Sequence, residues 1–179
     1  SMFSGKTSKL IELYKQFTQI DVSCFVINHS ADNRYSKTQL SSHDKVMIPC
    51  VKVNDLNDIC QNDELFAEYK KAKIILINEA KFFYDLYEWV KDQVDNYHKH
   101  IFVSGLDGDY QRNKFGQIID LIPICDKVRK ITSLCNQCKS GKVGIFSKRI
   151  NITNQEQIII GSEETYIPVC RDCYINKTI

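Results

Sequence analysis

At 179 residues with 43% hydrophobic side chains, the chain is sized for one domain, or one domain with a small appendage, around a real core. The 24 Lys and Arg nearly balance 22 Asp and Glu, and a net charge of +2 advertises no broad basic surface for nucleic acid. No apolar run approaches the roughly 18–20 residues of a membrane span, no signal peptide is apparent, and the eight cysteines read as metal ligands or buried thiols, which puts the expected location in the cytoplasm.

The chain opens on Ser1-Met2-Phe3-Ser4-Gly5-Lys6-Thr7, and Gly5-Lys6-Thr7 is the closing half of a phosphate-binding loop, G-x-x-x-x-G-K-[ST]. In such a loop the glycine turns backbone N–H groups towards phosphate oxygens. The lysine reaches the β/γ-phosphates, the hydroxyl takes a Mg²⁺ position, and the following helix aims its positive end at the anion. Leu10, Leu13, Tyr14 and Phe17 give that helix one apolar stripe. The opening glycine of the motif would fall one place before Ser1, and the strand that ordinarily feeds the loop would precede it too.

Ser23–Ile27 reads as a buried strand, and the polar stretch from Asp32 to Asp44 as a loop beside a substrate. Val51–Val53 suggests a brief edge strand, and Leu65, Phe66 and Tyr69 a helix. Lys73–Ile77 and Ile101–Gly105 are apolar runs of strands covered on both faces, and Phe83, Leu86, Tyr87, Val90 and Val94 recur at helical steps between them. The alternation predicts an α/β fold with an open, mostly parallel sheet and helices on both faces. Ligands of such sheets sit beyond the C-terminal strand ends. Asn78 and Glu79 after one strand, and Asp107 with Tyr110-Gln111-Arg112 after another, are therefore expected to converge on Lys6 and Thr7.

From Cys135 onward the character changes. Cys135/Cys138 and Cys170/Cys173 form two Cys-x-x-Cys pairs, the pattern of two knuckles closing a structural tetrahedral Zn²⁺ site. The spacer, residues 139–169, is longer than the usual ribbon interval, and 145–147 and 158–160 read as its two strands. Cys24, Cys50, Cys60 and Cys125 lack such spacing and read as core or incidental thiols.

These residues, in this order, resemble the type II thymidine kinases, a cellular and viral group with a P-loop NTPase-like core and a zinc-bound lasso. The resemblance is carried by Met2–Thr7, Asp32-Asn33-Arg34-Tyr35, His43-Asp44, Glu79 with Phe82-Phe83, Leu106-Asp107-Gly108 with Gln111-Arg112, and Tyr166 with Val169-Cys170 and Cys173-Tyr174. It implies a kinase core over 1–134 and a zinc-binding lasso over 135–179. It implies ATP with Mg²⁺ held by Ser4, Gly5, Lys6, Thr7, Asp32 and Asn78, with Lys6 and Arg34 on the phosphates and Glu79 as the base for the nucleoside 5′-hydroxyl. Met2, Phe82, Leu106, Tyr110, Phe115, Ser147, Gly161 and Tyr166 fall where the family packs and covers the base. A homotetramer inhibited by dTTP is implied as well, with no nucleic acid or membrane partner.

Three positions depart from the family pattern. Asn78 stands where Asp is usual, which removes a charge beside Mg²⁺; Lys81 stands where Gln is common; and Ser147 stands where Thr often lines the thymine methyl pocket. The leading expectation is a thymidine/deoxyuridine kinase. Asn78 and the half-loop keep open a nucleotide-binding paralogue with little turnover. A zinc-ribbon nucleic-acid module on an ATPase is disfavoured by the balanced charge.

Overall fold

The computed structural model describes residues 1–32, 38–150 and 165–176. In chain order it begins with α1 (Lys6–Thr18), β1 (Cys24–His29), β2 (Gln39–Ser41), β3 (Met47–Pro49) and β4 (Val51–Val53). Two helices, α2 (Asp58–Gln61) and α3 (Asp63–Lys71), lead to β5 (Ile74–Ile77). A 3-10 turn at Ala80–Phe82, α4 (Leu86–Asp95), β6 (His100–Val103) and a longer 3-10 segment at Ile118–Ile124 follow. The chain continues with β7 (Ser133–Leu134), β8 (Val143–Gly144), β9 (Phe146–Arg149), β10 (Tyr166–Val169) and α5 (Arg171–Ile175).

Among the described residues, four strands form a wholly parallel sheet in the order β4-β1-β5-β6. Successive side chains on a strand face opposite ways, and the core divides accordingly. Phe25, Ile27, Ile75 and Ile77 pack with Tyr69 of α3 and with Leu86, Trp89 and Val90 of α4. Val26, Ile74 and Leu76 pack on the other face against Leu10 and Ile11 of α1 and against Leu40 and Ile48 of the β2–β3 hairpin. Both faces of β5 are thus covered, which is why its four residues are all aliphatic and all buried. Each such side chain contributes about 1.5–3 kcal/mol of burial, an upper bound. No helix among the described residues is long and apolar enough to cross a membrane.

The α/β fold expected from the strand–helix alternation is the one observed, with local corrections. The polar stretch after Asp32 is not simply a loop. Gln39–Ser41 pairs antiparallel with Met47–Pro49, and Leu40 and Ile48 are driven into the α1-side core. The helix expected from Phe83 begins at Leu86; Phe83 is buried from the preceding turn, and Val94 faces solvent. Asn62 caps α3, its Oδ1 accepting from the Leu65 N–H at 3.1 Å. Cys60 and Cys125 are exposed, and only Cys24 and Cys50 are half-buried among the four thiols outside the paired motifs. The partner of β9 is β10; the strand expected at 158–160 lies outside the described residues.

Candidate active site

Gly5 ends the loop before α1 with φ +78°, a conformation that favours glycine, and its carbonyl accepts the first helical bond from the Lys9 N–H at 2.9 Å. Lys6 Nζ folds back over the loop, donating to the Ser1 carbonyl at 2.5 Å and to Ser4 Oγ at 3.3 Å. The positive end of the α1 dipole and this ammonium make one electropositive corner.

Strand β5 brings Asn78 to the same corner, with Glu79 next in the chain. Asn78 is 2% exposed, and Thr7 Oγ1 lies 3.5 Å from its Oδ1. Glu79 follows at φ +51°, left-handed backbone that a non-glycine residue adopts at a cost of about 1–2 kcal/mol. Its carboxylate is ion-paired with Lys81 Nζ, and that ammonium also lies 4.2 Å from the centre of the Phe82 ring. Phe82 meets Phe115 edge-to-face at 6.0 Å, and His29 packs between Phe82 and Phe83. Burial there holds the His29 imidazole below its usual pKa. Gly116 explains how the Phe115 loop comes so close. Its φ is +63°, and a Cβ there would sit 2.2 Å from the Lys81 carbonyl oxygen.

The loop after β6 is shaped by a residue the motifs did not single out. Asp109, 5% exposed, accepts on Oδ1 from the N–H groups of Gln111 (2.9 Å) and Asn113 (2.8 Å). This is an Asx-type turn, and Asp-x-x-x-Asn was its available signal. Asp107 is engaged by Lys130 at 2.6 Å; burial pushes its carboxyl up, but the lysine hydrogen bond and charge hold it below the usual value.

The thiol-rich end reaches the same place. Ser1 Oγ donates to the Gly144 carbonyl at 2.7 Å and the Met2 N–H donates to Ser147 Oγ at 3.0 Å, so the phosphate loop is tied to β8 and β9. Ser147 therefore spends its hydroxyl on the loop backbone, a contact that side-chain pattern could not reveal. The Arg149 guanidinium lies 3.7 Å over the Tyr110 ring and donates to the Tyr166 hydroxyl at 2.7 Å, joining two residues expected around the base. Tyr174 Oη donates to the Tyr110 carbonyl at 2.7 Å. Phe3 meets His43 edge-to-face at 6.2 Å. A cavity of about 260 Å³ beside the ribbon is lined by Phe3, Leu134, Asn136, Pro168 and Tyr166; Tyr166 is its one lining residue from the expected base-binding set. Leu106 is half-buried near the start of the loop that follows β6, while Arg34 and Gly161 lie outside the described residues.

Two metal fits can be tested on these residues. The sulfurs of Cys135, Cys138, Cys170 and Cys173 all lie within 4.8 Å of one another, compatible with a tetrahedral ZnS₄ site whose sulfurs stand about 3.8 Å apart. Burial opposes the Cys135 thiolate, yet backbone N–H groups of Cys138, Cys170 and Gln137 bring its pKa down to about 6. At the phosphate corner, the Thr7 hydroxyl, the Asn78 amide oxygen and the Glu79 carboxylate are hard oxygen donors of the kind Mg²⁺ takes.

Sheet, glycine-lysine-threonine loop and four-thiol ribbon define an α/β protein of the P-loop type with a candidate zinc site. The thymidine kinase family model matches residues 1–174. Thymidine kinase a of Arabidopsis thaliana is 39% identical over 178 residues, 99% of this chain and 73% of its own length. The thymidine kinase of Yaba monkey tumor virus is 41% identical over 173 residues, covering 97% of this chain and 90% of the viral one. The cytosolic thymidine kinase of Bos taurus is 32% identical over 176 residues, covering 98% and 69%. The chain belongs to the thymidine kinase family.

Proposed function

We propose that this chain transfers the γ-phosphoryl group of ATP to the 5′-hydroxyl of thymidine or deoxyuridine. The observation that carries the reading is the contact of Thr7, next to Lys6 at the start of α1, with Asn78, which follows β5 and precedes Glu79. Phosphoryl transfer asks a protein mainly for positioning and charge neutralisation. In this reading Ser4, Gly5 and the first N–H groups of α1 cradle the triphosphate, and Lys6 turns from the Ser1 carbonyl to the β/γ-phosphates. Arg34, with Asp32 beside it in sequence, adds a second cation. Thr7 and Asn78 would hold Mg²⁺, which would supply neutralisation of the phosphate charge. Glu79 accepts the proton of the 5′-hydroxyl, and Lys81 holds that carboxylate in place until substrate arrives.

Phe82 and Phe115 supply aromatic walls for the base, with Met2, Leu106 and Tyr110 around them. Tyr166, Gly161 and Ser147 belong to a lasso over 135–179, folded by zinc on the four cysteines and closing on the kinase core over 1–134. The wider reading includes a homotetramer inhibited by dTTP and working in the cytoplasm. The test is transfer of labelled phosphate from ATP·Mg²⁺ to thymidine. Product supports the kinase; nucleoside or nucleotide binding without product supports instead a non-catalytic paralogue, the reading that Asn78 favours.

A further inference from the structure

Asn28 is the penultimate residue of β1 and is 1% exposed, a buried amide following the apolar Phe25, Val26 and Ile27. Its orientation is fixed by partners whose polarity is unambiguous. The His29 backbone N–H only donates, so the amide atom 3.1 Å from it is Oδ1; the Asp32 carboxylate accepts, so the atom 3.1 Å from Asp32 Oδ2 is Nδ2. The same Oδ1 takes a second bond, from Asn78 Nδ2 at 3.1 Å. The Asn78 amide is thereby fixed too, with Oδ1 left to face the Thr7 hydroxyl at 3.5 Å. The Asn78 N–H donates to the Ile27 carbonyl at 2.8 Å, so the backbone cannot shift to offer another face.

Resting on the kinase reading above, we propose that Asn28 is a positioning residue that presents the carbonyl oxygen of Asn78 to the Thr7 and Mg²⁺ corner, and that Asn28 and Asn78 are a matched neutral pair. Asn78 is then no simple loss of a charge. A carboxylate at 78 would keep one oxygen towards Thr7 but set the other against Asn28 Oδ1, two acceptors with no proton between them. Asn28 cannot turn over to relieve this, because its Oδ1 would then face the Asp32 carboxylate and its NH₂ the His29 N–H. The chain Thr7–Asn78–Asn28–Asp32 also links the phosphate loop to the segment that carries Arg34 in sequence.

The test is a double-mutant cycle on the full chain: wild type, N78D, N28S and N28S/N78D, with N28A as a second cycle. A serine hydroxyl can accept from His29 or turn to donate, so it tolerates either partner at 78. Two readouts do not need turnover: the melting midpoint, and the affinity for a fluorescent ATP analogue with and without Mg²⁺. In the wild-type background N78D should lower the midpoint by about 3 °C or more, and in the N28S background by clearly less. N28S and N28A alone should raise the Mg²⁺ needed for half-maximal nucleotide affinity by about fivefold, leaving the Mg²⁺-free affinity within about twofold. Equal effects of N78D in both backgrounds, or an unchanged Mg²⁺ requirement in N28S and N28A, overturn the proposal. Failure of the kinase reading looks different: wild type makes no thymidine monophosphate, while the cycle remains measurable by melting and binding.

Discussion

Removing metal from the four-thiol cluster, by chelation or by Cys170→Ser, should weaken the phosphate corner while leaving the central sheet folded. Among the described residues the ribbon has only a small apolar cluster to hold it. Its apolar cluster consists of Cys135, Val169 and Cys170 with Phe146, Ile167, Cys173 and Tyr174 half-buried around them. One fully buried Val contributes about 1.5–3 kcal/mol, whereas ordering the backbone costs about 1–2 kcal/mol for each residue. In the zinc-bound reading proposed above, metal binding carries the fold of this segment, as it does in small zinc domains. The consequence reaches the phosphates through bonds between the loop and the ribbon, chiefly Ser1 Oγ to Gly144 O and Met2 N to Ser147 Oγ. At about 0.5–1.5 kcal/mol each their loss costs about 1–3 kcal/mol, or a 5- to 150-fold fall in nucleotide affinity. Zinc release followed by a chromogenic chelator, alongside nucleotide titration, measures both. Full zinc release with unchanged nucleotide affinity would refute the coupling; full metal content in Cys170→Ser would remove that thiol from the site.

Three further outcomes follow from the geometry. Glu79→Gln should lower kcat by about 10²–10⁴-fold with thymidine affinity largely kept; near-normal turnover would take Glu79 out of the base role. Gly116→Ala places a Cβ 2.2 Å from the Lys81 oxygen at φ +63°. It should cost about 2–4 kcal/mol and lower the melting midpoint by about 5–15 °C, and an unchanged midpoint would mean the loop does not pack there. His29, with its pKa held down by burial, stays neutral in the fold while the unfolded chain takes up a proton at about 6.5. Its stabilisation is present above that pH and is lost as pH falls towards the lower folded value. His29→Asn keeps an acceptor for the Ala31 N–H, which donates to His29 Nδ1, and should flatten the fall in melting midpoint between pH 7 and 5; an identical slope would contradict the assignment.

Much of this architecture is legible in residue order because its signals are local. Ile74–Ile77 is aliphatic without a break, and only a strand covered on both faces asks for that. The paired Cys-x-x-Cys motifs place their four sulfurs together across the long spacer. The β2–β3 hairpin escapes such reading because each strand buries a single large side chain, Leu40 or Ile48, too few for alternation to register. Asn28 escapes for a different reason. Polar residues after an apolar run mark a strand end, and Asn28 does follow one. Its role depends on Asn78, fifty residues away, and on the hydrogen-bond polarity of Asp32 and His29. Ser147 is legible as a residue near the base but not as the acceptor for Met2, since a backbone donor carries no sequence signature.

The turn that presents Glu79 shows how the sheet makes a strained carboxylate dependable. Ile77 before it and Ala80 after it are both 0% exposed, so the chain is anchored in core on each side of the left-handed residue. The Ala80 N–H donates to the Ser104 carbonyl at 3.0 Å and the Ser104 N–H to the Ile77 carbonyl at 2.8 Å, clamping the end of β5 to the end of β6. Gly116 then presses on the Lys81 carbonyl from the other side. With those constraints the left-handed φ at Glu79, worth about 1–2 kcal/mol against the fold, cannot relax by shifting its neighbours. The carboxylate is held by backbone packing and by Lys81, the rigidity that the proton-accepting role proposed for Glu79 requires. A variant that loosens the turn should therefore lower kcat before it disturbs the phosphate loop, because Lys6 and Thr7 belong to α1 and not to β5.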